Sequence, residues 1–180
     1  MSKYRNDKGF AMEIAVRYFS VLGNTKAIAE EIAAGAGVKA VSIVDEPELP
    51  EHVDVLFLGG APYANIMAPE LREYAERLAP DKVGRVVLFS TSNWSRRTVL
   101  ALRKILKAKG IPVTSNHFWA HMTQIGRSKP SARVFGEVGP KVGDTAVADR
   151  QAIVAEAISS AVIVSAFVAL GVMIAKRFRG

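Results

Sequence analysis

Three short apolar runs, each feeding a small-residue turn and then a helical pattern, constrain this chain more than any other feature. They are residues 12–19, 53–58 and 85–89. A strand in the middle of a parallel sheet is covered on both faces, so it reads as a nearly unbroken apolar run. In the first run Ile14, Val16 and Tyr18 fall on one face and Ala15 and Phe19 on the other, so burial is expected on both sides. Strands that alternate with helical stretches form a parallel sheet with helices on each face.

The helical stretches follow from spacing. In residues 25–34, Ile28 and Ile32 lie four apart beside Ala29 and Ala33, and Gly35 and Gly37 end the run. Met67, Leu71, Tyr74, Ala75 and Leu78 form the buried stripe of a helix that opens at Pro69. Residues 96–109 form another helix, with Val99, Leu102 and Leu106 inward and Gly110 at its end. Residues 39–44 read as strand two and 111–119 as strand five, the latter interrupted by Pro112 and Asn116. The acidic stretch 45–51, broken by Pro47 and Pro50, reads as a loop, and Gly59, Gly60, Ala61 and Pro62 as a turn. Residues 126–144, rich in Gly, Pro and Lys, read as a long loop, with a last helix starting near Thr145. Five strands in this sequence predict a doubly wound five-stranded parallel sheet in the order 2-1-3-4-5. Its ligand belongs outside the carboxyl ends of the strands, between strands one and three.

The first turn at that end runs Ser20, Val21, Leu22, Gly23, Asn24, Thr25, Lys26. Successive backbone amides and the positive end of a helix dipole can together surround a phosphate dianion. Gly23 lets the backbone bend and approach, and Ser20, Asn24 and Thr25 add side-chain donors. The turn is neither G-x-x-x-x-G-K-[ST] nor G-x-G-x-x-G, so a triphosphate site and a pyrophosphate-spanning turn are disfavoured. What remains is a loop sized for one phosphomonoester. The chain has no cysteine, which excludes disulfides, thiolate metal sites and a cysteine nucleophile. His52, His117 and His121 have no metal-binding spacing, so no metal site is expected.

Residues 20–33, SVLGNTKAIAEEIA, resemble the first turn and helix of the flavodoxin family. LFLGGAPYANIMAPELREYAERL (56–78) and VLFSTS (87–92) are similar to the second and third cofactor loops of small bacterial members, and LKAKGIPV (106–113) matches as well. The resemblance covers residues 13–120. It implies noncovalent flavin mononucleotide (FMN) and transfer of one or two electrons. Two departures stand out. Leu22 replaces a threonine common in the family's phosphate loop, and Phe118-Trp119-Ala120-His121 replaces a cysteine-and-glycine segment after strand five.

A flat amphipathic flavin ring needs aromatic faces and a few polar partners. Tyr63 and Trp94 are placed to flank it. Ala61, Pro62 and Ala64 are small, and Asn65, Thr91, Ser92 and Asn93 can meet ring carbonyls or ribityl hydroxyls. Arg96 and Arg97 follow Trp94 directly; positive charge beside a reduced flavin makes reduction easier. His117 and His121 read either as strand-end polar residues or as proton relays.

The net charge of +7 is uneven: residues 1–80 carry 8 Lys and Arg against 12 Asp and Glu, and residues 81–180 carry 16 against 5. The basic helix 96–109 lacks the interleaved aromatics of a nucleic-acid binder. It reads as a docking face for an acidic redox partner or anionic lipid. Residues 1–11 form a polar extension without a secretory pattern, which places residues 12–156, the FMN-binding domain, in the cytoplasm. Residues 157–175 contain no charge and precede Lys176, Arg177 and Arg179. They read either as an apolar C-terminal helix anchoring the domain to the cytoplasmic membrane or as an extended fifth helix on the sheet. The leading functional expectation is an electron-transfer flavoprotein. The alternatives are an FMN-dependent oxidoreductase of the quinone or protoporphyrinogen type and a flavin-free interaction module.

Overall fold

The structure, a computed structural model, describes Tyr4 and residues 9–141. Strand β1 (Ile14–Tyr18) leads into helix α1 (Asn24–Ala36), the short strand β2 (Ala40–Ser42) and strand β3 (Val53–Gly60). A two-stranded hairpin, β4 (Pro62–Tyr63) and β5 (Ile66–Met67), precedes helix α2 (Pro69–Arg77). Strand β6 (Val83–Ser92), helix α3 (Arg97–Ala108), strand β7 (Val113–His121) and helix α4 (Ile125–Val138) follow. The five main strands are parallel, in the order β2-β1-β3-β6-β7. With the hairpin set aside, this is the doubly wound order 2-1-3-4-5 expected from the sequence.

The sheet divides the apolar side chains as the alternation of β1 requires. Ile14, Val16 and Tyr18 join Val55, Phe57, Val87 and Phe89 beneath α1 and α4. Ala15 and Phe19 join Leu56, Leu58, Val86 and Leu88 beneath α2 and α3, where Leu71, Tyr74, Leu102 and Leu106 are fully buried. Each such buried aliphatic side chain contributes about 1.5–3 kcal/mol. Tyr4 also belongs to the α1 side: it is buried, and its hydroxyl donates to the Gly35 carbonyl at 2.8 Å.

Several boundaries differ from the sequence expectation. Residues 126–144, read as a loop, contain α4 instead. Its glycines look like helix breakers but serve as packing surface. A methyl group added at Gly136 would fall on the Ile32 carbonyl of α1, and one at Gly35 on the Arg133 carbonyl of α4. With the fully buried Ala29 and Ala132 beside them, the two helices approach almost backbone to backbone. Glu31 bridges to Arg133 at 2.9 Å and Lys129 at 3.8 Å across the same contact. Pro130 lies inside α4, where it removes one helical hydrogen bond and its ring crowds the preceding turn. Gly35 therefore lies inside α1, which runs on to Ala36, and Gly37 alone is the left-handed cap. Because α4 covers the α1 face after β7, the sheet needs no later helix there. The helix expected from Thr145 and the stretch 157–175 lie outside the described residues. Among the described residues no helix is long and apolar enough to cross a membrane.

The connection from β2 to β3 is a loop, as its two prolines imply. It supplies a counter-ion that the sequence reading missed: Arg17 is buried in β1, and Glu46 meets it at 2.6 Å. In β7 the register against β6 slips between Val86 and Leu88, so the strand bulges where Asn116 interrupts the apolar pattern. The Arg103 guanidinium donates to the Thr114 and Ser115 carbonyls there. β3 continues through Gly60, so the expected turn at 59–62 begins only at the hairpin.

Candidate functional site

The loops after β1, β3 and β6 converge on an open cleft of about 330 Å³ at the carboxyl end of the sheet. From the first loop Ser20, Leu22, Asn24 and Thr25 line it; from the second, Ala61, Pro62, Tyr63 and Asn65; from the third, Thr91, Ser92, Asn93 and Trp94. Val21, Gly23 and Ala64, singled out with them in the sequence, sit in the same loops without lining the cleft. Ser95 and Met122 complete the wall. Met122 comes from the segment after β7. The parallel order brings that segment to the same end, which was the available signal for it.

Gly23 stands at the head of α1 with φ +84°, and open space surrounds the position a β-carbon would take. It supplies a left-handed backbone that an L-residue adopts only with strain, and the space beside it is free of protein atoms. No side chain caps α1, and its first turn holds no acidic residue. The first intrahelical bond runs from the Ala27 amide to the Gly23 carbonyl. The amides of Asn24, Thr25 and Lys26 thus have no partner within the helix, which leaves a concentration of donors and the positive dipole end at the cleft. Other donors in the loop are committed. The Gly23 amide donates to Ser20 Oγ at 3.1 Å, and the Val21 amide to the Tyr63 hydroxyl at 2.8 Å.

Thr25 is buried, and its hydroxyl pairs with that of Thr91 at 2.7 Å on the cleft floor. Two hydroxyls own two hydrogens and the pair consumes one, so one donor remains for a ligand. Tyr63 is fixed twice, by its bond to Val21 and by an edge contact with Phe19 at 6.0 Å between ring centres. Ala64 and Asn65 both have positive φ, 48° and 64°, and make the tight turn of the hairpin. Trp94 is 84% exposed and rests edge-on against His121, with ring centres 5.2 Å apart. Behind it the Trp119 indole donates to Ser92 Oγ, which in turn donates to the Ser95 carbonyl, and this holds the third loop. Among the described residues no charged side chain lines the cleft. A bound anion would therefore be held by amides, hydroxyls and the helix dipole.

His121 Nδ1 accepts from the Thr123 amide, so the neutral ring carries its proton on Nε2. Arg96 and Arg97 are exposed at the start of α3 and do not line the cleft. His117 is half-buried within β7, away from the cleft, and burial followed by the Arg96 and Arg103 charges lowers its pKa from 6.5. A histidine whose folded pKa is depressed binds fewer protons folded than unfolded, so stability falls as pH drops below about 6.5 toward the folded value. Urea unfolding of His117→Gln between pH 5 and 7 is expected to lose part of that acid sensitivity. An unchanged pH profile would contradict the assignment.

No family model matches the sequence, and no curated protein sequence does. Solved structures do match. A flavodoxin from the domain Archaea aligns with 73% of this chain and 100% of its own, at 17% identity and TM-score 0.54. A mutant Fusobacterium nucleatum flavodoxin bound to flavin mononucleotide aligns with 69% and 93%, at 18% identity and TM-score 0.55. The flavodiiron core of Flv1 from Synechocystis aligns with 74% of this chain and 37% of its own, at 14% identity and TM-score 0.52. The chain has the flavodoxin-like fold.

Proposed function

We propose that this protein is an FMN-binding redox flavoprotein that carries electrons between partners. The observation that carries the reading is the uncapped head of α1 at Gly23, opening into a charge-free cleft walled by three loops at the carboxyl end of the sheet. The Fusobacterium flavodoxin of the same fold is described as bound to FMN. The residues present fit that group. Amides of Asn24, Thr25 and Lys26 with Ser20 would hold the phosphate, Asn65 and Asn93 the polar groups of the ribityl chain or ring, and Trp94 with Tyr63 the ring faces. Bound there, the flavin supplies one- or two-electron transfer; the chain binds, orients and tunes it. Exposed Arg96 and Arg97 lie near enough in sequence to Trp94 to favour the reduced, more negative flavin.

Because the phosphate donors form one end of the site, FMN and riboflavin separate the readings cleanly. Hydrogen bonds to charged groups contribute about 1.5–3 kcal/mol each. FMN is thus expected to bind at least about 100-fold more tightly than riboflavin in a fluorescence titration, since the loss of even two of these four donors' bonds with the phosphate accounts for that factor. Equal affinities would remove the phosphate loop from the proposal, and no binding of either flavin would leave an interaction module on the same fold. With α4 closing the α1 face, residues 157–175 are not needed as a covering helix, and we assign them the anchoring role that their uncharged sequence suits.

A further inference from the structure

We propose that His121 is a positioning residue: its ring holds Trp94 as the wall against which a flavin ring lies. The proposal rests on the FMN reading and names a residue that does not itself line the cleft. Strand pairing brings it there. His121 ends β7, and the register sets it opposite Ser92, two residues before Trp94. Side chains two apart on a strand share a face, so Trp119 and His121 stand side by side. The result is a row of three rings leading to the cleft. Trp119 and His121 lie 5.8 Å apart between centres at 83°, and His121 and Trp94 5.2 Å apart at 71°. Both contacts are edge-to-face, an arrangement that aromatic rings favour.

The three rings are held unequally. The Trp119 indole donates to Ser92 Oγ at 2.8 Å. His121 is anchored through Nδ1, which accepts from the Thr123 amide at 3.3 Å and lies 2.8 Å from the Thr123 hydroxyl. Trp94 has nothing comparable. It is 84% exposed, and among the described residues its indole has no hydrogen-bond partner and its one ring contact is His121. The bond that fixes the third loop ends on its backbone: Ser92 Oγ donates to the Ser95 carbonyl. That bond sets the path of the chain past Trp94 and leaves the direction of the indole to the His121 ring. An indole that leaves this pose forfeits its contact with a bound ring, and such contacts contribute a factor of about two to ten. Among the described residues the phosphate donors of the first loop share no hydrogen bond with the three rings. His121 therefore acts on the ring half of the ligand.

Two substitutions in the full-length protein separate the ring from its nitrogen. His121→Phe keeps a flat ring and loses the acceptor; His121→Asn keeps an acceptor for the Thr123 amide and loses the ring. The chain has two tryptophans, so a proton–nitrogen spectrum of the flavin-free protein shows two indole signals, and Trp94→Phe assigns them. In His121→Asn the Trp94 indole is expected to gain fast motion, read as a lowered heteronuclear NOE, while the bonded Trp119 indole keeps its rigidity. FMN and riboflavin are expected to weaken together, by about two- to tenfold, with the ratio of their affinities unchanged. His121→Phe is expected to restore both readings. The proposal is overturned if His121→Asn leaves Trp94 rigid or flavin affinity unchanged, or if His121→Phe fails to restore them. It is also overturned if Trp119 loosens as much as Trp94, or if FMN weakens more than riboflavin. Failure of the FMN reading looks different: the unaltered protein then binds neither flavin, whatever Trp94 does, and the ring-wall role falls with it.

Discussion

Replacing Gly136 with alanine is expected to destabilise the domain by about 3 kcal/mol and lower its melting temperature by on the order of 10 °C. Helix propensity argues the other way, since alanine in a helix interior is favoured over glycine by about 1 kcal/mol. The structure decides between the two effects. The added methyl group would land on the Ile32 carbonyl, part of the backbone of α1, which cannot swing aside as a flexible side chain can. Relief requires moving one helix off the other, and that disturbs Ala29, Ala132 and the ion pairs of Glu31 together. Gly126→Ala is the internal control. It lies in the same helix with nothing within 4 Å of the new group, so it is expected to be neutral or mildly stabilising. Urea and thermal unfolding of both variants check this. If Gly136→Ala unfolds no more easily than the parent, the close α1–α4 contact is wrong.

The second large effect is expected at Gly23. Its φ of +84° costs an L-residue about 1–2 kcal/mol, and open space around it means that no steric clash adds to that figure. Alanine there either retains the left-handed turn at that cost or relaxes the loop and disperses the amides at the head of α1. The first route costs stability alone, because the strain is common to the free and bound protein; the second makes ligand binding restore the turn, so Gly23→Ala with a relaxed loop is expected to raise the FMN dissociation constant about tenfold while affinity for riboflavin barely changes. Asparagine tolerates the left-handed region better than alanine, so Gly23→Asn is expected to fall between the two. This order, Gly then Asn then Ala, separates a conformational role from a steric one. If Asn and Ala weaken binding equally or in the reverse order, the conformational account fails.

The sheet was readable because its strands are buried on both faces, and burial leaves an apolar trace in sequence. The same trace fixed the inward stripes of α2 and α3. What could not be read was α4. Its glycines and proline carry loop chemistry in isolation, and only the presence of α1 a few ångströms away turns Gly136 from a break into a fit. Arg17 was likewise invisible as a buried charge, because its partner Glu46 lies in a loop with no periodicity to tie it to β1. For the cleft, the three loops were legible from their position after strands, and twelve of the fifteen candidate residues line the cavity. The commitments within the site were not. That Thr25 turns to Thr91, and that Tyr63 holds a backbone amide, depends on pairings between loops far apart in the chain.

The bond from the Val21 amide to the Tyr63 phenol has a bearing on how a ligand is captured. It splices two walls of the cleft into one jaw before anything arrives. Conformational freedom that a floppy loop would surrender on meeting its ligand is here given up during folding, and less of the intrinsic affinity is spent on ordering the receptor.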